Sequence, residues 1–149
     1  MRTCKDIPPL QVIEKGEWVD LSLAESISLG KGEFVLASFG VRMQLPPEYE
    51  AWIIPRSSTF LKYKVMQANS VGLIDSTYAG KNDVWKFPAI AMETTNIQKG
   101  IRVCQFRIMP SMKASSRTKK EWLEYDGVEF VEEEWDAEDR GGFGSTGEK

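Results

Sequence analysis

Residues 50–55 read Glu-Ala-Trp-Ile-Ile-Pro. The run alternates at its start, turns apolar, and stops at Pro55, which has no N–H to carry a ladder onward. It predicts a short, half-buried β-strand. Runs of the same kind lie on both sides. FVLASFGVRMQL (34–45) is interrupted by Gly40, and KVMQA (64–68), VGLID (71–75), FPAIAM (87–92) and IRVCQFRIMP (101–110) follow. Val, Ile, Phe and Trp dominate them, as suits a pleated, half-buried surface. Helical periodicity is confined to 57–63, where Ser57 or Ser58 offers an N-cap. Many short strands punctuated by Gly and Pro predict an all-β fold, whether sandwich, jelly roll or barrel.

The chain has 149 residues, with 19 Lys plus Arg, 22 Asp plus Glu, and no histidine. That length suits one domain. Without histidine there is no Ser-His-Asp or Cys-His machinery and no His-ligated zinc. Cys4 and Cys104 are too few for a disulfide framework and match no metal-ligand spacing. Catalysis must draw on carboxylates, Lys, Tyr, hydroxyls or a borrowed metal ion. A net charge of −3 does not make the whole chain attractive to nucleic acid. The N-terminus lacks the apolar core of a secretory signal, and no run approaches the ~18 apolar residues of a membrane helix. A cytoplasmic protein with reduced thiols, and with no nucleic-acid or membrane partner, is expected.

Composition changes after Pro110. Lys113, Arg117, Lys119 and Lys120 form a basic stretch, read as a solvated loop. WLEYDGVEFV (122–131) reads as a hairpin turning at Asp126-Gly127. An acidic stretch from Glu132 to Asp139 follows, and the chain ends in RGGFGSTGEK (140–149). Such a glycine-rich end has little core to order it. Yet one Phe set among backbone amides and hydroxyls suits a segment that caps a ligand. The division expected is 1–138 as the folded domain and 139–149 as a flexible lid.

Three places could carry chemistry. Pro55-Arg56-Ser57-Ser58 ends a strand at a helix start, where free N–H groups and an Arg fork suit an anion; a capped helix with a surface Arg is the plain alternative. Asn69 to Gly80 contains a strand that delivers Asp75 into a turn, with Tyr78 three residues on; Asp is also an ordinary turn residue. Gly100-Ile101-Arg102-Val103-Cys104-Gln105 opens an apolar strand carrying one amide, Gln105, which needs partners if it faces inward.

Taken in order, these pieces form a pattern. Asp20-Leu21, Pro-Arg-Ser-Ser (55–58), Gly-Leu-Ile-Asp-x-x-Tyr-x-Gly (72–80), Gly-x-Arg-x-x-Gln (100–105) and Gly-Gly-Phe-Gly-Ser-Thr-Gly (141–147) resemble the five ordered motifs of the trimeric dUTPase family. The resemblance runs from about residue 16 to residue 147, and the form is that of Gram-positive bacteria and their phages. It departs in places: Trp18-Val19 precedes Asp20 where Gly-Tyr is usual, Ile101 stands where an acid is usual, and Arg140 abuts Gly141 directly.

The resemblance implies an all-β, distorted jelly-roll or β-clip barrel that forms a homotrimer, with one short helix, a flexible C-terminal tail and sites shared between subunits. It implies hydrolysis of dUTP to dUMP and pyrophosphate with Mg²⁺. Asp75 would activate the water that attacks the α-phosphorus, its pKa raised by the neighbouring polyphosphate. Arg56, Ser57, Ser58 and Gln105 would hold phosphates, and Asp20 would reach Mg²⁺ through water. Asn69, Gly72 and Ile74 belong to the uracil-reading hairpin, and Tyr78 would lie under the deoxyribose. Phe143 would stack on uracil as the tail closes, while Arg140, Gly144, Ser145 and Thr146 hold the terminal phosphate. Trp85 and Phe87 read as core aromatics, the alternative being that they help hold the closed tail. Two rivals share the fold. A dCTP deaminase needs a Glu after the Gly80 turn, and residues 81–87 contain none. A nucleotide-gated regulatory protein with a protein partner is compatible with the same motifs.

Overall fold

The computed structural model describes residues 10, 17–124, 128–145 and 147. Strand β4 (Tyr49–Pro55) is the spine of a four-stranded antiparallel sheet. It lies between β9 (Arg102–Pro110) and β6 (Gly72–Asp75), and β1 (Val19–Ser22) flanks β9. Alternation decides the faces: Ala51 and Ile53 are buried while Trp52 points outward. A second sheet runs β3 (Phe34–Ser38), β7 (Lys86–Ala91), β5 (Val65–Gln67). A two-stranded ladder pairs β2 (Ile27–Leu29) with β8 (Thr95–Ile97).

Aromatic side chains fill the space between the sheets. Phe39 stacks on Phe87 at 6.1 Å, and Trp85 meets Phe106 edge-on at 5.1 Å. Trp85 and Phe87 are fully buried, as their reading as core aromatics expected. Burial of each such side chain contributes about 1.5–3 kcal/mol.

The expected barrel is not what forms. The described strands make three separate open sheets, and no ladder closes them into a β-clip barrel. The reason lies in residues 39–48. Phe39, Val41, Met43 and Leu45 alternate into the core like a strand, but only Val41 carries a bridge. Gly40 turns the chain with a φ of 64°, and Pro46 and Pro47 can donate nothing to a ladder. The register of β1 against β9 also shifts between Leu21 and Ser22.

The described residues also hold two helices rather than one. Helix α1 (Thr59–Tyr63) begins two residues later than expected, with Ser58 at its N-cap. Helix α2 (Ser116–Glu124) occupies the basic stretch read as a loop and the first half of the expected hairpin. Ser115 Oγ accepts from the Thr118 N–H, capping the first turn. Glu48 anchors that turn from a distance: its carboxylate accepts from the Ser115 N–H at 2.8 Å and the Thr118 hydroxyl at 2.5 Å. Arg117–Glu121 and Lys120–Glu124 pair at i,i+4. The turn expected at Asp126-Gly127 lies outside the described residues. Among the described residues, no helix is long and apolar enough to cross a membrane.

Candidate active site

The four-stranded sheet carries two clusters of polar side chains, one toward each end of β4. At the Pro55 end, register sets Asp20 opposite Gln105, and Gln105 opposite Ile54. Paired residues share a face, so Asp20 and Gln105 stand side by side. Arg56 follows directly, its N–H donating to Val103 O at 3.1 Å. Its Nε meets Asp20 Oδ1 at 3.1 Å, and Arg102 Nη1 meets Asp20 Oδ2 at 2.9 Å. The Asp20 side chain is only 11% exposed, so two guanidinium groups compensate a carboxylate that is nearly out of water. Arg102 is quoted in the fourth motif but is not among the expected site residues. Ser58, at the N-cap, uses no side-chain cap bond.

Between the clusters runs the 67–72 turn, which carries the chain from β5 in the second sheet to β6 in the four-stranded one. Gln67, buried, donates from Nε2 to Ile53 O at 3.0 Å and Ser70 O at 3.4 Å. It thereby ties the turn that exposes Asn69 to the spine strand. Gly72 sits opposite Ile53, where a Cβ would lie 3.2 Å from the Ile53 Cβ. Ile74, half-buried, packs on the core beside it.

Asp75 ends β6 opposite Glu50, at the far end of β4. Its Oδ1 accepts from the Thr77 N–H at 2.9 Å and the Thr77 hydroxyl at 2.6 Å. Its Oδ2 faces Arg140 Nη1 at 3.3 Å. Burial acts most strongly on this carboxyl and pushes its pKa up. The Thr77 bonds, the Arg140 charge and the Tyr78 N–H together outweigh that and hold it below the ordinary 3.8. The raised pKa expected beside a polyphosphate is therefore not the resting condition of the chain. The side chain remains 45% exposed, open to water and to a ligand.

The C-terminal segment lies against the loop that joins β6 to β7. Trp135 Nε1 donates to Ala79 O at 2.8 Å. Asp139 accepts from Asn82, backbone N–H at 2.7 Å and side-chain amide at 2.6 Å. Asp83, 1% exposed, accepts from three backbone N–H groups: Gly80 at 2.9 Å, Arg140 at 2.8 Å and Gly141 at 2.8 Å. Burial raises its pKa most, and the three N–H bonds with the Arg140 charge more than offset it, leaving it below 3.8. Tyr78 is buried and donates its hydroxyl to Val84 O at 3.1 Å; a Cβ on Gly142 would lie 3.5 Å from its ring. Burial, then the Asp83 charge, pushes the phenol up and keeps it neutral.

Beyond this root the tail is less enclosed. Phe143 is 55% exposed and takes a left-handed φ of 53°. Such a conformation in a bulky residue is strained and is found where function holds it. Gly144 and Ser145 are exposed, and Thr146 lies outside the described residues. Asp75, Tyr78, Arg140 and Phe143 thus share one end of the sheet. Asp20, Arg56 and Gln105 share the other. Glu50 and Arg56 are six residues apart, about 20 Å along an extended strand.

Sequence reasoning missed Asp83, Asp139 and Thr77. Only Thr77 had a local signal, an Asp-x-Thr turn in which the side chain folds back on its own backbone. Among the described residues, no three acidic or cysteine side chains converge as a metal cage.

Comparison with known proteins sets this geometry in a family. A family model described as dUTPase matches residues 18–147. The SPbeta prophage-derived deoxyuridine 5'-triphosphate nucleotidohydrolase of Bacillus subtilis strain 168 is 46% identical over 138 residues, covering 92% of this chain and 88% of its own. The deoxyuridine 5'-triphosphate nucleotidohydrolase of Clostridium acetobutylicum is 33% identical over 131 residues, covering 88% and 82%. Among solved structures, the dUTPase of Streptococcus mutans superposes with a TM-score of 0.65 at 26% identity, over 72% of this chain and 88% of that one. The dUTPase of Staphylococcus aureus phage phi11, described as coordinating a structural Mg(II) ion, gives 0.67 over 89% and 95%; at 15% identity this likeness speaks for the fold alone. With the family model spanning nearly the whole chain and relatives this similar along most of their length, the chain belongs to the dUTPase family.

Proposed function

We propose that the chain carries out its family's reaction, hydrolysis of dUTP to dUMP and pyrophosphate, with Asp75 as the residue that holds the attacking water. The observation that carries this assignment is the setting of Asp75: one oxygen fixed by Thr77, the other beside the partly exposed cation Arg140. Asp75 orients the water and takes up its proton as the oxygen attacks the α-phosphorus. The bond from that phosphorus to the bridging oxygen breaks, and pyrophosphate leaves. Such a reaction depends mainly on positioning and charge neutralisation.

Arg140 gives up Asp75 for the terminal phosphate, which frees Oδ2 for the water. Ser145, Gly144 and Thr146 complete that phosphate grip, and Phe143 covers the base. Asn69, Gly72 and Ile74 read uracil, and Tyr78 backs the sugar. Arg56, Ser57, Ser58 and Gln105 hold the remaining phosphate oxygens. The donor set suits Mg²⁺ that arrives on the triphosphate with its own waters, because Asp20 is already paired with two arginines. When bound, Mg²⁺ would supply charge neutralisation on the phosphates, and Asp20 would hold it through water.

Hydrogen-bond reach is about 3 Å, so clusters about 20 Å apart cannot grip one phosphate group. This supports sites shared between copies of the chain, as in a homotrimer: Asp75 from one copy meets Arg56 and Gln105 from another. The test is pyrophosphate release from dUTP, UTP, dCTP and dTTP, each with and without Mg²⁺. Release from dUTP alone, dependent on Mg²⁺, is expected; equal release from dCTP or UTP would defeat the assignment.

A further inference from the structure

Among the described residues, Gln67 is the only side-chain amide buried in the core, and the proposed mechanism gives it no part. Its three partners lie on three different segments. Nε2 donates to Ile53 O on β4 at 3.0 Å and to Ser70 O in the turn at 3.4 Å, while Oε1 accepts from Cys104 Sγ on β9 at 3.4 Å. The amide can sit only one way round. Reversed, its oxygen would face two carbonyl oxygens, which accept and never donate. A buried amide is costly unless it is paired, and these partners offset that cost.

The pairings converge on Ser70. Its N–H donates to the Gln67 carbonyl at 3.1 Å, and its carbonyl accepts from the Gln67 side chain, so one residue grips both backbone groups of the other. Ser70 needs such a grip, because its φ of 61° is left-handed, a conformation disfavoured in any residue with a Cβ. Ile53 meets the turn at both ends. Its carbonyl holds Gln67, and its side chain lies where a Cβ on Gly72 would be 3.2 Å from the Ile53 Cβ. Asn69 lies between these anchors, exposed, with its carbonyl accepting from the Val71 N–H at 2.6 Å.

We propose that Gln67 is a positioning residue for base selection: it holds the 68–71 turn in the shape that sets Asn69 and the Gly72 backbone against uracil. The inference rests on the reading of Asn69 and Gly72 given above. Uracil presents an N–H donor beside a carbonyl where cytosine presents a ring acceptor beside an amine. Groups fixed in place tell these apart, whereas groups free to shift can satisfy either. Gln67 meets no nucleotide and acts only through the turn.

The test uses the full chain with Mg²⁺. Gln67→Met keeps the length of the side chain and removes its amide. Gln67→Glu keeps the size and sets an acceptor against two carbonyls. Asn69→Ala is made beside them. For each, kcat and KM are measured for pyrophosphate release from dUTP and dCTP, together with inhibition by inorganic tripolyphosphate, which meets the phosphate-holding groups alone. In the Gln67 variants KM for dUTP should rise about tenfold or more, with a smaller change in kcat, and the kcat/KM preference for dUTP over dCTP should fall by a similar factor. Inhibition by tripolyphosphate should stay within about twofold of wild type, as expected when only the base-reading groups move. Hydrogen exchange should quicken in a peptide spanning 68–72 and not in those of β4 and β9. An unchanged preference in the Gln67 variants, where Asn69→Ala loses it, would overturn the proposal and leave the base reading standing. An unchanged preference in Asn69→Ala would remove that reading, and the proposal with it. Equal weakening of dUTP and tripolyphosphate, or loss of folding in both Gln67 variants, would mean that Gln67 only supports the core. Should Gln67→Met alone fail to fold, Gln67→Glu carries the same comparison.

Discussion

Replacing Gly80 with Ala should displace the C-terminal segment from the β6–β7 loop without substituting any residue proposed to meet the nucleotide. Gly80 is buried, and its φ is not in the left-handed range, so an Ala backbone is allowed there. The effect then comes from one methyl group. Its three nearest neighbours all belong to Asp139, with the nitrogen at 2.6 Å and the Cα closer still. Ordinary contact begins at 3.4 Å, so the Asp139 backbone must retreat by about 1 Å. Backbone cannot rotate away as a flexible side chain does. The retreat pulls on the Asn82 and Asp83 bonds and carries Arg140 with it. A misplacement of ~1 Å in a catalytic arrangement can cost about 100-fold in rate, while overpacking costs stability only ~1–3 kcal/mol. The assay is kcat and KM for pyrophosphate release from dUTP, beside a melting curve for the same preparation. A fall in kcat near 100-fold with a modest fall in Tm is expected. The same substitution in a chain ending at Glu138, where Asp139 is absent, should leave residual kcat unchanged. A full-length Gly80→Ala enzyme within twofold of wild type would refute the reasoning, because the tail would then tolerate displacement.

Other consequences are more direct. Asp75→Asn should lower turnover by several orders of magnitude while calorimetry still finds dUTP binding, since losing such a group removes transition-state stabilisation rather than affinity. Thr77→Val removes one of the three hydrogen bonds that, with the Arg140 charge, hold the Asp75 pKa below 3.8. The ionised form is then favoured less, so the acid limb of kcat/KM should move to higher pH, and an unmoved limb would separate Asp75 from the titrating step. Cys104 is fully buried, and burial pushes its thiol far up. Its peptide should remain unmodified by iodoacetamide at pH 8 in the native chain and react after unfolding, as mass spectrometry would report.

Much of this was legible in the sequence where local pattern and turn chemistry agreed. β4, β6 and β9 each join an apolar run to Gly, Pro or Asp, and all three form near the expected limits. β2 and β8 are three residues each, too short to show alternation, and they exist because Ile27 and Ile97 meet across the ladder. Helix α2 was hidden for a different reason. Its residues read as solvated charge, and the carboxylate that docks its first turn, Glu48, comes from 67 residues away. The closed barrel was an inference from many short strands, and strand count does not reveal that residues 39–48 keep the alternation yet leave the ladder. The motif residues of the candidate site were readable because each motif is contiguous. Asp83 was not, because its partners are backbone amides 57 and 58 residues on, and backbone amides leave no mark in a sequence.

The absence of histidine constrains how such a site can work. A carboxyl held below 3.8 is a weak proton acceptor near neutral pH, where a general base works best with a pKa near the ambient value. Asp75 in its resting state is therefore better suited to orienting a water than to deprotonating it. Two features can change that once nucleotide binds. The proposed transfer of Arg140 from Asp75 to the terminal phosphate would remove one of the influences that lower the pKa. The polyphosphate then brings negative charge toward the carboxylate, which raises it further. Both act in the same direction, and both require the nucleotide. The base would thus be strengthened by the substrate it acts on, and Arg140 would act as the counterion that keeps it quiet in between. Anchoring the Arg140 backbone through Asp83 fits this exchange, because a guanidinium that must move between two anions gains from a fixed pivot.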